Sequence, residues 1–273
     1  MRYVYGILLL CSVVLWSSCR KDFETTPSSG KLTFSKDTVY LDTVFTNIGS
    51  STYNLTVHNK SDDDITIPNI QLAKGESSNY RLNVDGLPGK SFRDIDILAN
   101  DSIFIFVETT ADIENLSQTD NQFLYTDAIE FDTNSNQQKV ELVTLIQDAH
   151  FLYPEKFADG TTEALSFGFD DEGKEILIEG FVLDDTELNF TNEKPYVIYG
   201  YAAVPSNKTL TIDAGARVHF HRESGLIVAE NGSLHVNGAL SNDPEVLENE
   251  VIFEGDRLEP AFSDVAGQWG AIG

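Results

Sequence analysis

The stretch that decides the fold lies at residues 195–238 and reads PYVIYGYAAVPSNKTLTIDAGARVHFHRESGLIVAENGSLHVNG. Pairs of apolar residues recur in it every eight positions, and each pair flanks one residue that faces the other way: Leu210 and Ile212, Val218 and Phe220, Leu226 and Val228, Leu234 and Val236. Short strands separated by turns at one period are typical of a solenoid, in which each rung buries its inward pair against the next. We therefore predict stacked rungs, with three eight-residue steps to a turn.

The sequence that continues this pattern carries a family resemblance. Four segments bear it: LTIDAGARVHF at 210–220, GLIVAENGSLHVNGAL at 225–240, VIFEGDR at 251–257 and GQWGAIG at 267–273. They resemble the first coils of right-handed parallel β-helix proteins found among bacterial surface lipoproteins. The resemblance implies N-terminal coils of a parallel β-helix over residues 195–273. In such sequences the Gly-x-Trp-Gly motif is followed by many further coils, so we expect this chain to be a fragment whose native gene continues past Gly273.

Residues 31–149 predict a separate unit made only of strands. Apolar alternation with Gly, Asn and Asp turns marks eight candidate strands: 38–47, 53–59, 65–72, 80–84, 93–98, 102–109, 128–132 and 138–146. Eight strands in about 115 residues is the number expected of an immunoglobulin-like sandwich. The segments at 44–86, 97–112 and 127–149 resemble the Ig-like modules of the Hydin and ASPM type, which implies a spacer or interaction platform. The fold class that we predict is all-β: an Ig-like β-sandwich followed by the first coils of a right-handed parallel β-helix.

Residues 150–194 are interpreted as a connector between the two units. The apolar runs at 176–178 and 181–183 indicate buried strands. The acidic pairs at 170–171 and 184–185 suggest paired carboxylates for acid–base chemistry, but neighbours on a strand point to opposite faces. We therefore interpret both pairs as turn residues.

The N-terminus predicts export and lipidation. Residues 1–18 have Arg2 ahead of a short apolar run, as in a signal peptide, and LWSSC at 15–19 resembles a bacterial lipobox with Cys19 as the lipidated residue. The alternative is an ordinary signal peptide with an incidental cysteine. Residues 19–30 are interpreted as a flexible tether, which loosely resembles the charged export tethers of surface-displayed outer-membrane lipoproteins; a generic linker is the alternative. The predicted location is the cell envelope, in the outer membrane, with display on the cell surface as one option.

Cysteine and charge exclude several function classes. Cys11 lies in the predicted signal peptide and Cys19 is acylated in this interpretation, so the mature chain has no thiol for a disulfide, metal site or nucleophile. Lys and Arg number 18 against 44 Asp and Glu, a net charge of −26, which disfavours nucleic acid as a partner. The sequence predicts no cofactor.

Three histidines invite a metal interpretation. His219 and His221 lie on the outward positions of one strand and are the weak candidates for metal ligands. With three eight-residue steps per turn, His235 stacks over Thr211 and not over His219. The third ligand is then on the wrong face, and we interpret the strand as an exposed polar one without a metal site.

The favoured function is a lipid-anchored envelope protein with a non-catalytic binding, adhesion or structural role. Its partners are the membrane, through acyl chains on Cys19, and a glycan or protein that contacts the β-helix face. The alternative is a surface polysaccharide lyase or glycoside hydrolase whose active site lies on coils beyond those in this sequence. No catalytic residue is predicted in the chain.

Overall fold

The computed structural model describes residues 24–112 and 122–273, and this part of the chain is all-β. The predicted signal peptide and Cys19 lie outside the described residues. Three short 3-10 turns are described, at Gly75–Ser77, Asn134–Asn136 and Pro260–Phe262. Within the described ranges, no helix is long and apolar enough to cross a membrane.

Eleven strands of the described residues form a two-layer sandwich. Their bounds are β1 Thr26–Pro27, β2 Thr33–Phe34, β3 Thr38–Phe45, β4 Tyr53–His58, β5 Ile65–Leu72, β6 Tyr80–Val84, β7 Leu87–Gly89, β8 Ser91–Ile97, β9 Ser102–Thr109, β10 Gln122–Phe131 and β11 Gln138–Gln147. One sheet has the order β1-β5-β10-β11-β3 with β8 also paired to β5, and the other has the order β2-β4-β9-β6-β7. The inward residues of both sheets, such as Leu55 and Ile105 facing Ile67 and Leu142, share one hydrophobic core. Alternation along each strand places apolar side chains in this core and polar ones outside.

The other described strands form three sheets of mainly parallel strands. Their bounds are β12 His150–Leu152, β13 Ala164–Phe169, β14 Glu175–Val182, β15 Asn189–Phe190, β16 Tyr196–Ile198, β17 Tyr201–Val204, β18 Thr209–Ile212, β19 Arg217–Phe220, β20 Gly225–Val228, β21 Ser233–Val236 and β22 Ile252–Gly255. The first sheet is β12-β16-β19-β22, the second β13-β14-β17-β20 and the third β15-β18-β21. Apart from the antiparallel pair β13 and β14, neighbours in these sheets are parallel. We call β12–β22 the stacked unit.

The chain visits the three sheets of the stacked unit in a repeating order. Tyr196 pairs with Val218 and Leu210 with Leu234, so these turns take 22 and 24 residues, equal or close to the 24 of three eight-residue steps. The predicted inward residues Leu210, Ile212, Val218, Phe220 and Leu226 all belong to one buried core. The predicted inward position of Val236 is not buried, since that side chain is 45% exposed.

The stacking begins at His150 and not at Pro195. Residues 150–194, interpreted from sequence as a connector, supply the first strand of each parallel ladder: β12 pairs with β16, β14 with β17 and β15 with β18. The expectation that residues 176–178 are buried is wrong, because Ile176 and Leu177 are 44% and 57% exposed. They lie on the half of β14 that pairs only with β13, ahead of the part that joins the ladder.

The eight-residue step is interrupted after β21. A loop intervenes before β22, and the guanidinium of Arg217 on β19 holds it by donating to the carbonyl oxygens of Leu247 at 2.6 Å and Glu250 at 2.8 Å. The pairing of β22 with β19 is therefore kept despite the longer connection.

Gly180 provides a test of the close approach between β14 and β17. A Cβ at this position would clash with the carbonyl oxygen of Tyr201 and would lie 2.8 Å from Cδ1 of Leu165. We expect Gly180→Ala to lower the free energy of unfolding by about 2 kcal/mol, because backbone in a parallel ladder cannot move aside cheaply. The matched control is Gly49→Ala, where the nearest atom is 3.5 Å away. Equal stability of the two variants in urea unfolding would contradict the prediction.

Candidate functional site at the junction

A buried aromatic contact joins the sandwich to the first sheet of the stacked unit. The ring of Phe45, at the end of β3, meets the imidazole of His219 on β19 edge to face, with 4.7 Å between centroids. Phe45 is fully buried and His219 is only 3% exposed. Nδ1 of His219 lies 3.1 Å from the carbonyl oxygen of Gly255, so a neutral imidazole with its proton on Nδ1 donates there.

Burial decides the protonation of His219. Desolvation is the main cause that lowers the pKa of this imidazole; the hydrogen bond to Gly255 opposes it and the nearby Arg217 adds to it, and together they bring the pKa to about 4. The carboxylate of Glu254 lies 3.6 Å from Nδ1, but its own pKa is raised by burial. His219 is therefore neutral at pH 7. The strand was expected to be exposed, and that expectation is wrong for His219 because the sandwich covers it.

His221 makes a different set of contacts at the same edge. Its Nδ1 lies 2.6 Å from Oδ2 of the buried Asp256, and its ring stacks on Tyr199 with 4.3 Å between centroids. Burial, helped by Asp256, raises the pKa of the Tyr199 hydroxyl to about 12, so this phenol is neutral. Asp256 therefore orients the imidazole of His221. The other ring nitrogen, Nε2, has no hydrogen-bond partner in the part of the chain that the structure describes.

The predicted register of His235 is confirmed, since it pairs with Thr211 on the third sheet. His219 is on the first sheet and His221 directly follows its strand β19, so the three imidazoles are not brought together. Among residues 24–112 and 122–273, no group of three or more His, Cys, Asp or Glu side chains is placed to hold a metal ion.

An ion pair that follows β22 also contacts the sandwich, through hydrogen bonds to Ser51. The guanidinium of Arg257 donates to both carboxylate oxygens of Glu259, from Nη2 at 2.7 Å and from Nε at 3.1 Å. Nη2 of Arg257 also donates to Oγ of Ser51 in the sandwich at 2.7 Å, and the backbone N–H of Ser51 donates to Glu259 at 2.8 Å. Burial alone would raise the pKa of Glu259, but these hydrogen bonds outweigh it and hold the pKa below its usual value. We call the contacts of Phe45, Ser51, His219, Arg257 and Glu259 the junction.

A cleft of about 620 Å³ opens at the surface where the loop after β3 meets the start of the stacked unit, and we call it the junction cleft. It is lined by Asn47, Ile48, Phe151, Tyr153, Pro154, Lys156, Thr162, Glu179 and Tyr199. Tyr153 is 65% exposed. The side chains of Tyr153, Lys156 and Glu179 have no hydrogen-bond or ion-pair partner among the described residues. The cleft thus offers aromatic surface together with a free donor and a free acceptor.

Short-range backbone contacts fix the walls of the cleft. Tyr199 follows β16, and its N–H donates to the carbonyl oxygen of Leu152 at 2.9 Å. Gly200 next to it has a left-handed φ of 66°, and a Cβ there would lie 3.0 Å from the carbonyl oxygen of Glu179. Glycine is therefore required for Tyr199 and Glu179 to come this close. On the opposite wall, a bridge between Lys156 and Thr162 closes the loop that follows β12.

Sequence reasoning did not find the cleft. Its walls come from four parts of the chain: the loop at 47–48, the segment at 151–162, Glu179 on β14 and Tyr199 directly after β16. The sequence signal for the cleft is the cluster of aromatic residues at 151–157 (FLYPEKF). It was not recognised as a site because residues 150–194 were interpreted as a connector. The predicted candidates His219 and His221 do not line the cleft, but His221 contacts the lining residue Tyr199.

Comparison with known proteins gives no assignment by sequence: no protein family and no curated protein matches the chain. Solved structures similar to it include the PapD-like domain 7 of human CEP192, with 11% identity over 48% of this chain and 94% of that one at a TM-score of 0.27. The E. coli chaperone DraB has 12% identity over 46% of this chain and 58% of that one at a TM-score of 0.28. A family 123 glycoside hydrolase from Clostridium perfringens has 10% identity over 43% of this chain, which spans 26% of the hydrolase, at a TM-score of 0.28. At these TM-scores the similarities assign neither a fold family nor a function.

Proposed function

We propose that this chain is a non-catalytic, lipid-anchored binding protein of the cell envelope, in which an Ig-like sandwich carries the first coils of a right-handed parallel β-helix. The observation that carries the proposal is the junction. It locks the sandwich to the stacked unit through buried side chains and leaves an aromatic cleft with unpaired polar groups at the surface. A site built between rigid elements binds a ligand with little loss of conformational entropy.

The pairing of the stacked unit supports the β-helix part of the proposal. Three parallel ladders around one hydrophobic core, with turns of 21 to 24 residues between β14 and β21, are the arrangement that such a solenoid needs. In a β-helix, each further coil lengthens the lateral surface without changing the coils already formed. The sandwich then sets the distance and angle at which this surface stands from the membrane.

The titratable side chains at the junction are hydrogen-bonded within the protein, which supports a non-catalytic role. His219 donates to a backbone carbonyl inside the protein, and Glu259 is held by Arg257. Acid–base catalysis needs a group that can reach a substrate and exchange a proton near the working pH. A buried neutral imidazole and a buried, paired carboxylate serve structure instead.

A carbohydrate-active enzyme is the second candidate, and the His221–Asp256 pair favours it. A carboxylate that orients an imidazole is a common arrangement for a general base. The decisive experiment is to incubate the purified full-length protein with neutral and acidic polysaccharides and to measure the release of reducing or unsaturated ends. Turnover that His221→Ala abolishes would establish the enzyme and overturn the binding function, whereas binding without turnover supports the proposal.

The proposal includes attachment to the membrane through acyl chains on Cys19. We expect Cys19→Ala to release the protein from the membrane fraction and to remove the mass of the acyl chains, because the polypeptide is then left without its anchor. Fractionation of cells and mass spectrometry of the intact protein measure both effects. Cys11→Ala is the matched control, since this cysteine lies in the segment that processing removes. A membrane-bound Cys19→Ala protein with an unchanged mass would contradict the assignment.

A further inference from the structure

We propose that the junction cleft binds a neutral glycan chain, with a sugar ring stacked on Tyr153. This inference rests on the proposed binding function and names its site and ligand class. The volume of about 620 Å³ lies within the range of roughly 300–1,000 Å³ that is usual for small-molecule sites. The cleft is open to the surface, so a chain longer than the cleft can pass through it.

The aromatic residues of the cleft fit the apolar face of a sugar. An aromatic ring has a negative face that attracts the C–H groups of a pyranose, and a tyrosine adds a hydroxyl that stays hydrated at its rim. Tyr153 is 65% exposed and has no partner within the described residues. Phe151 and Tyr199 line the same cleft and are only partly exposed. Tyr153 is therefore the ring that is available for stacking, and the other two form the wall behind it.

The polar residues of the cleft fit the hydroxyl groups of a sugar. Each sugar hydroxyl both donates and accepts, and the lining supplies a carboxylate on Glu179, an ammonium on Lys156 and an amide on Asn47. Opposite charges facing one cleft, neither of them paired within the protein, suit a ligand that offers donors and acceptors together. A purely apolar ligand would leave both charges desolvated and unpaired, which is costly.

Charge selects a neutral glycan over an acidic one. The chain has a net charge of −26, and the loop at the cleft adds Glu155 and Glu163 beside the single lysine, Lys156. A polymer of uronic acids or sulfated sugars would meet repulsion from this surface. A neutral chain avoids that repulsion and still uses the hydrogen-bonding groups of Glu179 and Lys156.

The experiment is calorimetric titration of the full-length protein with defined hexasaccharides. The neutral probes are maltohexaose, cellohexaose, mannohexaose, xylohexaose and chitohexaose, and the acidic probes are hyaluronan hexasaccharide and hexagalacturonate. We expect binding of at least one neutral probe, a loss of about tenfold or more in affinity for Tyr153→Ala, and a change of less than about threefold for Tyr153→Phe, which keeps the ring. Phe169→Ala is the matched control, because Phe169 is equally exposed but lies on β13 and does not line the cleft.

The outcomes that overturn this inference differ from those that overturn the proposed function. Binding of a neutral probe that Tyr153→Ala leaves unchanged places the site elsewhere and keeps the binding function. Binding of the acidic probes alone rejects the ligand class and keeps the binding function. The same holds if no hexasaccharide binds and a protein partner is captured through Tyr153. Cleavage of a bound hexasaccharide rejects the non-catalytic function itself. Near-identical thermal unfolding of the variants shows that a loss of affinity comes from the cleft and not from misfolding.

Discussion

When the pH is lowered from 7 to 4, the free energy of unfolding is expected to fall by about 3 kcal/mol more in the native protein than in a His219→Gln variant. In the unfolded chain this histidine binds a proton near its ordinary pKa of 6.5, whereas burial keeps it neutral in the folded protein until the pH reaches about 4. Between these values the unfolded state holds a proton that the folded state lacks, so stability falls as the pH falls. A difference of about 2.5 in pKa corresponds to about 3 kcal/mol.

The surroundings of His219 explain why the folded state keeps it neutral. The sandwich covers it with the apolar ring of Phe45, its own strand presents Arg217, and β22 presents Glu254 and the carbonyl of Gly255. Protonation would place a second positive charge near Arg217 in a buried site. The protonated state is therefore expected to loosen the junction.

Urea unfolding at a series of pH values, with and without the substitution, measures this effect. Glutamine can still donate to Gly255, so the variant keeps the hydrogen bond and loses only the titration. His58→Gln, on β4 of the sandwich, is the matched control for replacing a histidine by glutamine, and the effect assigned to His219 is the difference between the two variants. Parallel curves for native protein and His219→Gln between pH 7 and 4 would show that His219 does not titrate as burial requires.

The strands of the sandwich could be predicted because their alternation is local. The bounds predicted for residues 65–72, 80–84 and 102–109 coincide with Ile65–Leu72, Tyr80–Val84 and Ser102–Thr109. The short strand Leu87–Gly89 was not among the predicted strands: it pairs with β6, and the chain reverses at Asp85 and Gly86, both with positive φ. The Asp-Gly dipeptide is the usual signal for such a turn.

The first turn of the stacked unit could not be predicted because its spacing is interrupted. The later turns show apolar pairs every eight residues, but residues 150–194 contain the hairpin of β13 and β14, which lengthens the interval between β12 and β15. Phe181 and Phe190 do occupy the buried core. The apolar run at 181–183 predicts the burial of Phe181, but without the regular interval nothing local assigns Phe181 or Phe190 to the parallel ladders.

The site could be predicted only in part, because it depends on contacts between distant segments. The eight-residue register gives the direction of His219 away from the coil interior, and the structure agrees, since Val218 and Phe220 fill the core. Whether that side chain meets water depends on Phe45, at the end of a strand in the other unit. The junction cleft has the same origin, since Asn47 belongs to the sandwich and Tyr153 and Tyr199 to the stacked unit.

Arg257→Ala is expected to lower the free energy of unfolding by about 2–3 kcal/mol, less than for a fully buried ion pair because the Arg257 side chain is 32% exposed. Glu259 is only 3% exposed, and without the guanidinium its carboxylate keeps the Ser51 N–H but loses its countercharge. The substitution also removes the contact of the guanidinium with the ring of Phe262, at 4.8 Å from the centroid. Much of the loss is thus the cost of leaving a buried charge unpaired.

The double variant Arg257→Met/Glu259→Gln separates this cost from a simple loss of packing. It removes both charges while an amide at position 259 can still accept the hydrogen bond from Ser51, so we expect it to be more stable than Arg257→Ala alone. Arg222→Ala is the matched control, because Arg222 pairs with Glu223 at 3.7 Å with both side chains about 80% exposed, and should change stability by less than about 0.5 kcal/mol. Urea unfolding at pH 7 measures all three. If Arg257→Ala were as stable as Arg222→Ala, Glu259 would have to be solvated, and the contacts of this ion pair with Ser51 would not stabilise the junction.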